Sequence, residues 1–154
     1  MKIRIAVTIA VLSLLGTSAY AQCTNGSLLN QNALSSAFSG NTICGQRAGA
    51  AADANNRWQE EHFAGGALWD YKRGDGDSVD PRKPVGTWVI TDQGANTRIA
   101  YTYQSGSATS GPYSHSVHLV SGVYEFCTGP GTTVVARAFV QPGINVGCSS
   151  YPAP

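Results

Sequence analysis

Hydrophobic positions along this chain follow two rhythms. Between Leu28 and Phe38 the apolar residues Leu28, Leu29, Ala33, Leu34, Ala37 and Phe38 recur at spacings near three and four, and Ser39-Gly40-Asn41 ends the run. That pattern predicts one short amphipathic helix. Beyond it the period drops to two. The alternating stretches are Thr42 to Gln46, Arg57 to Phe63, Ala67 to Arg73, Val85 to Thr91, Thr97 to Tyr103, Ser114 to Val120, Gly122 to Thr128 and Thr132 to Val140. They are short, rich in Val, Ile, Thr, Tyr and Trp, and read as strands of an all-β domain.

Turn residues separate most of these strands: Ala64-Gly65-Gly66, the stretch Asp92 to Asn96, Ser121-Gly122 and Gly129-Pro130-Gly131. Such short connections favour sequential antiparallel pairing. Two connections are longer, Gly74 to Pro84 and Gln104 to Pro112, and the second is a Ser/Gly/Thr run almost without apolar residues that reads as a loop. Ala48 to Asn56 is small and polar and reads as a loop too, with a helical segment as the alternative. Meandering strands can each bury one face in a closed barrel or in a two-sheet sandwich, and closure also removes exposed edges. The expected fold is a single antiparallel up-and-down barrel of about eight strands with a short N-terminal helix. A β-sandwich is the alternative.

The first residues carry Lys2 and Arg4, an apolar run from Ile5 to Leu15, and small side chains around Ala19-Tyr20-Ala21. This is the layout of a secretory signal peptide. An apolar run of about eleven residues, at roughly 1.5 Å each, spans only about half of a ~30 Å hydrocarbon core, which argues against an anchor. Residues 1–21 are therefore expected to be removed, leaving 22–154 as one domain, secreted or periplasmic, with no stable membrane anchor. Export places Cys23, Cys44, Cys127 and Cys148 in oxidising surroundings, and the even count predicts two disulfides. Cys23 and Cys44 are 21 residues apart, as are Cys127 and Cys148, so local pairing within each of these two couples is expected. A four-cysteine zinc site would want a close C-x-x-C pair, which is missing.

Charge narrows the choice of partners. Of ten Lys and Arg, eight remain without Lys2 and Arg4, against nine Asp and Glu, a net charge of −1. Counterion release on nucleic acid needs clustered cations, so a nucleic-acid partner is not expected. With 42% hydrophobic residues, including three Trp and seven Tyr, the chain has material for a core and does not read as disordered.

Gly86-Thr87-Trp88, set in an up-and-down strand series, resembles the Gly-x-Trp motif of the calycins, the lipocalin and avidin-type barrels. In lipocalins the motif lies on the first strand, whereas about three candidate strands precede it here. The wider plan of Leu34 to Cys44, Trp58-Gln59-Glu60-Glu61-His62, Gly66 to Tyr71 and Gly86-Thr87-Trp88 is similar to small bacterial exported proteins. The resemblance implies a calycin-like barrel and brings no activity with it.

The densest polar cluster is Glu60-Glu61-His62. On a strand, Glu60 and His62 share one face with Trp58, while Gln59, Glu61 and Phe63 share the other. A carboxylate and an imidazole two residues apart can form an acid/base pair or half of a metal site. The simpler reading is a strand with a charged outward face. His115 and His118, three apart on a strand, point to opposite faces and cannot chelate together without a bulge. Asp75, Asp77 and Asp80 echo a calcium loop, yet the terminal Glu of an EF-hand is absent, and an acidic turn explains them. Neither a Gly-x-Ser-x-Gly elbow nor a phosphate-binding glycine loop is present. No catalytic residue, metal or cofactor is expected.

Aromatic residues give the more useful signal, because Trp69 and Tyr71 alternate in one strand and Tyr101 and Tyr103 in the next but one. Facing inward, they would line an amphipathic pocket with hydroxyls to orient a ligand. The expected function is non-catalytic binding of a small apolar or aromatic molecule by Trp58, Glu60, His62, Trp69, Tyr71, Tyr101 and Tyr103. One alternative is a protein-interaction module, such as an inhibitor of a secreted enzyme, working through Gln104 to Pro112. A second is a metal-assisted hydrolase built on Glu60, His62 and one of His115 or His118.

Overall fold

A computed structural model of the chain describes residues 23, 28–70, 82–91, 94–128 and 133–154. The expected signal peptide, the acidic turn with Asp75, Asp77 and Asp80, Tyr71 and the Gly129-Pro130-Gly131 turn lie outside these residues. One helix, α1 (Gln31–Phe38), precedes eight strands: β1 (Asn41–Arg47), β2 (Arg57–His62), β3 (Ala67–Asp70), β4 (Lys83–Thr91), β5 (Arg98–Ser105), β6 (Ala108–Val120), β7 (Val123–Thr128) and β8 (Thr133–Pro142). Each strand pairs antiparallel with the next, and β8 returns to pair with β1. The sheet is thus a closed barrel, and the sandwich is set aside.

Local chemistry explains the start and stop of α1. The Asn30 side chain accepts a hydrogen bond from the Ala33 N–H at 2.9 Å, satisfying one donor that the first turn leaves open. At the other end Gly40 reverses the chain at φ +76°, a region that suits glycine, and the Asn41 side-chain amide donates to the Ala37 carbonyl at 2.8 Å. Helix α1 then closes one end of the barrel. Phe38, fully buried, meets the rings of His62, Tyr124 and Phe126 edge-on at centroid distances of 5.5, 5.4 and 5.8 Å. Ile43, Leu68, Trp88, Ile99, Tyr101 and Val117 complete a solid interior around it. Small residues make room for large ones, as at Gly45, where the Trp58 indole occupies the space that a Cβ would need.

Short apolar periods located the strands well, with one clear exception. Gln104 to Pro112, expected as a loop, belongs to a long hairpin: β5 runs on to Ser105, Gly106-Ser107 makes the turn, and β6 starts at Ala108. Residues 104–114 are exposed, so no apolar alternation marks them. The ladder and the tolerance of Ser and Thr for extended backbone hold this part together. The helix is also shorter than its apolar spacing implied. Leu28 lies outside it and forms an isolated bridge with His118 of β6.

The disulfides contradict the expected local pairing. Cys23 is joined to Cys127 and Cys44 to Cys148, each bond closing 104 residues of sequence. Spacing in sequence misled because both terminal segments lie on the outside of the barrel. Cys23 is bonded to β7 and Leu28 bridges to β6, and the segment after β8 crosses the outer faces of β1 and β2. Two intact bridges fit an oxidising environment. Among the described residues no helix is long and apolar enough to cross a membrane.

Candidate functional site

Strand β2 sends its polar residues to two destinations. Glu60 and His62 point into the barrel with Trp58, as alternation requires, while Gln59 and Glu61 point outward. The outward face carries the charge expected of it, at Glu61, but it is covered rather than open to solvent. Gln59 Oε1 accepts from the Cys148 N–H at 2.6 Å, and Glu61 Oε1 from the Asn145 N–H at 2.9 Å. Glu61 also takes two hydrogen bonds from Arg82 Nε, at 3.0 and 2.8 Å, and an ion pair from its Nη2 at 2.7 Å. Arg82 lies in turn over the Trp69 ring, 4.6 Å from its centroid. Glu61 therefore fastens the chain entering β4 and the segment after β8 to the outer wall.

Inside, His62 is completely buried. Its Nδ1 lies 3.4 Å from the Glu60 carbonyl, which can only accept, so the neutral ring carries its proton on Nδ1 and Nε2 accepts from the Tyr101 hydroxyl at 3.1 Å. Burial pushes the His62 pKa down to about 3, with the Glu60 carbonyl contact a smaller opposing effect. This histidine is a neutral packing group, set between Phe38, Trp88 and Tyr101.

Glu60 sits one layer nearer the open end. The Tyr103 hydroxyl donates to its Oε1 at 2.7 Å, the Trp58 side chain also hydrogen-bonds it, and Asp70 is its cross-strand partner on β3. Burial, reinforced by the Asp70 charge and opposed by the two hydrogen bonds, raises its pKa to about 7. Burial and the neighbouring Glu60 push the Tyr103 hydroxyl upward as well, so it stays a proton donor. Above this layer a cleft of ≈ 500 Å³ opens, with Glu60, Asp70, Tyr103 and Val85 at its inner side, Lys83 near its edge and the hairpin from Gln104 to Ser110 as a raised wall. Val85 enters the site through a bulge. The β3–β4 register passes from Leu68–Gly86 to Trp69–Pro84 and skips it, and Val85 packs against the core.

Opposed titrations make the site measurable by pH. Between about pH 4.5 and 7 the folded chain keeps a proton on Glu60 that the unfolded chain releases, so this contribution to stability declines as pH rises. His62 acts oppositely. Between about pH 3 and 6.5 the unfolded chain binds a proton that folded His62 refuses, so its contribution grows with pH. Glu60→Gln removes only the first slope. In urea unfolding, its stability relative to the parent should climb steadily from about pH 4.5 to 7 and then level off; a constant offset across that range would contradict the raised Glu60 pKa.

Of the residues expected to hold a ligand, Glu60 and Tyr103 line the cleft, and Trp58 leans across Gly45 to reach Glu60. His62 and Tyr101 belong to the filled interior below. Trp69 faces outward against Phe63 and Arg82, so it cannot share a pocket with them. His115 turns inward beside Tyr101 and Phe126, its pKa lowered first by burial and then by Arg98, whereas His118 lies outward, 3.3 Å from Ser116 Oγ. Among the described residues no group of three or more His, Cys, Asp or Glu side chains could hold a metal ion, and the hydrolase arrangement does not assemble. The sequence reading missed Asp70, Lys83 and Val85, and it offered Gln104 to Pro112 as a protein-docking loop rather than as a wall of the cleft. Asp70 carried a usable signal in its alternation with Leu68, but only the β2–β3 register places it opposite Glu60. Comparison with protein-family models, curated proteins and solved structures finds no match to this chain.

Proposed function

We propose that this is a secreted or periplasmic barrel that binds one small, largely apolar or aromatic molecule at its mouth, with a calycin-like division between a plugged base and an open end. The observation that carries the reading is the ≈ 500 Å³ cleft ending on Glu60 and Tyr103, a volume in the usual range for small-molecule pockets. Val85 and the Tyr103 ring offer apolar surface, while the Glu60 and Asp70 carboxyls favour a ligand whose polar end donates hydrogen bonds. Signal-directed export agrees with the two disulfides.

The test uses N-phenyl-1-naphthylamine, a neutral aromatic dye with one N–H donor. Its fluorescence should rise and saturate at one dye per chain, and Ser110→Trp, a change at an exposed wall position, should abolish the rise while leaving the melting temperature unchanged. Absence of saturation, or saturation untouched by that substitution, would remove the mouth as the site. The exposed β5–β6 hairpin supports a second reading, docking of a secreted protein partner. In that case Ser107→Arg, at the exposed hairpin tip and outside the cleft lining, should abolish partner capture without altering dye binding.

A further inference from the structure

Charge at the inner side of the mouth decides what kind of polar end a guest can bring. Glu60 is 8% exposed and lines the cleft together with Asp70, its cross-strand partner on β3. Strand β1 sets Ile43 beside Glu60 on the other side, and β5 contributes Tyr101 and Tyr103. From β4 comes Lys83, the cross-strand partner of Asp70, which stands exposed at the edge of the cleft. His62, next along the inward face of β2, stays neutral. The inner side thus presents two carboxyls and a tyrosine hydroxyl beside the apolar surface of Val85 and the Tyr103 ring.

A guest seated there displaces the water that reaches these groups. A neutral guest leaves an ionised Glu60 poorly solvated and so favours the protonated acid, whereas an ammonium group replaces the lost hydration with opposite charge and N–H donors. An anionic guest would bring a further negative charge against both carboxyls. We propose that the guest of the mouth is an organic cation, an amine whose aromatic body lies against Val85 and Tyr103 and whose ammonium group meets Glu60, with Asp70 adding to the attraction. This rests on the reading of the mouth as a binding site and narrows the class of its ligand. Binding is then coupled to proton release: the ammonium takes the place of the Glu60 proton, which passes to solvent. Because Glu60 gives that proton up at about pH 7, the site fills as pH rises toward and through this value and empties as pH falls.

2-Phenylethylamine and 2-phenylethanol are suitable probes, alike in ring and linker but differing in the charged end, and an alkyl ammonium stays ionised from about pH 5.5 to about pH 8. Each is titrated into the folded chain at both pH values and followed by the backbone amides of Val85 and Tyr103. Glu60 is ionised in about one chain in thirty at the lower pH and in about nine in ten at the higher. The amine should therefore bind at least about tenfold more tightly at the higher pH, and there at least about tenfold more tightly than the alcohol, whose own affinity should stay level or fall. Glu60→Gln should cut the amine's gain with pH to less than about twofold. Asp70→Asn, which removes a charge that helps hold the proton on Glu60, should move the amine's rise to lower pH. An alcohol that binds as tightly as the amine at the higher pH, or an amine whose affinity does not follow pH, would overturn the cationic guest while the mouth remains a binding site. No saturable shift with the amine would overturn it too, and saturation of the naphthylamine dye in the same chain then shows whether the mouth itself survives as the site.

Discussion

Replacing Cys44 and Cys148 together by alanine is expected to lower the thermal midpoint by about 15 °C. In the chain-entropy picture, a bridge closing about 100 residues contributes roughly 4.7 kcal/mol by restricting the unfolded chain. The bond between Cys44 and Cys148 closes 104. For a domain of about 130 residues each kcal/mol moves the midpoint by roughly 3–4 °C, which gives the stated shift. Had the pairing been local, the loops would have been 21 residues long and each bridge worth only about 3 kcal/mol. The two closed segments overlap from Cys44 to Cys127, so while one bridge stands the other closes a shorter effective loop, and loss of the second bridge should cost more than loss of the first. Differential scanning calorimetry on the double variant and on the reduced parent measures both steps. A decrease below about 5 °C for the double variant would mean that the bridges constrain an unfolded chain already compact.

Phe38→Ala should be the most damaging single change at the closed end, costing about 3–5 kcal/mol. Its ring is fully buried and has three aromatic partners from β2 and β7, none of which can follow it into the vacated space without leaving the barrel wall. Phe38→Leu, which keeps most of the volume, should cost distinctly less. Denaturant unfolding of both variants decides the matter. If alanine and leucine fall within about 1 kcal/mol of each other, the helix does not act as a plug and its burial has to be explained otherwise.

How far the sequence could be read depended on how local the signal was. Alternation of Trp58, Glu60 and His62 put these residues on one face, and the structure keeps them there, because side-chain direction in a strand follows from one residue to the next. Eight strands and sequential pairing followed from the same local cues. Most of the failures involve partners distant in sequence. A charged outward face was legible at Gln59 and Glu61, but not the segment around Asn145 and Cys148 that covers it. Trp69 alternates correctly, yet β3 presents it to the outside. The acidic mouth needed the pairing of Glu60 with Asp70, fixed by register, and the hairpin wall carried no apolar pattern to reveal it.

The interlocked bridges also bear on how this molecule would withstand proteases. A cut at any one peptide bond between Cys23 and Cys44, or between Cys127 and Cys148, leaves the pieces joined by one disulfide. A cut anywhere between Cys44 and Cys127, including the exposed tip at Gly106-Ser107, leaves them joined by both. A single nick therefore cannot release a fragment from this span. The severed strands stay at high effective concentration beside their neighbours, so the barrel can re-form around the break.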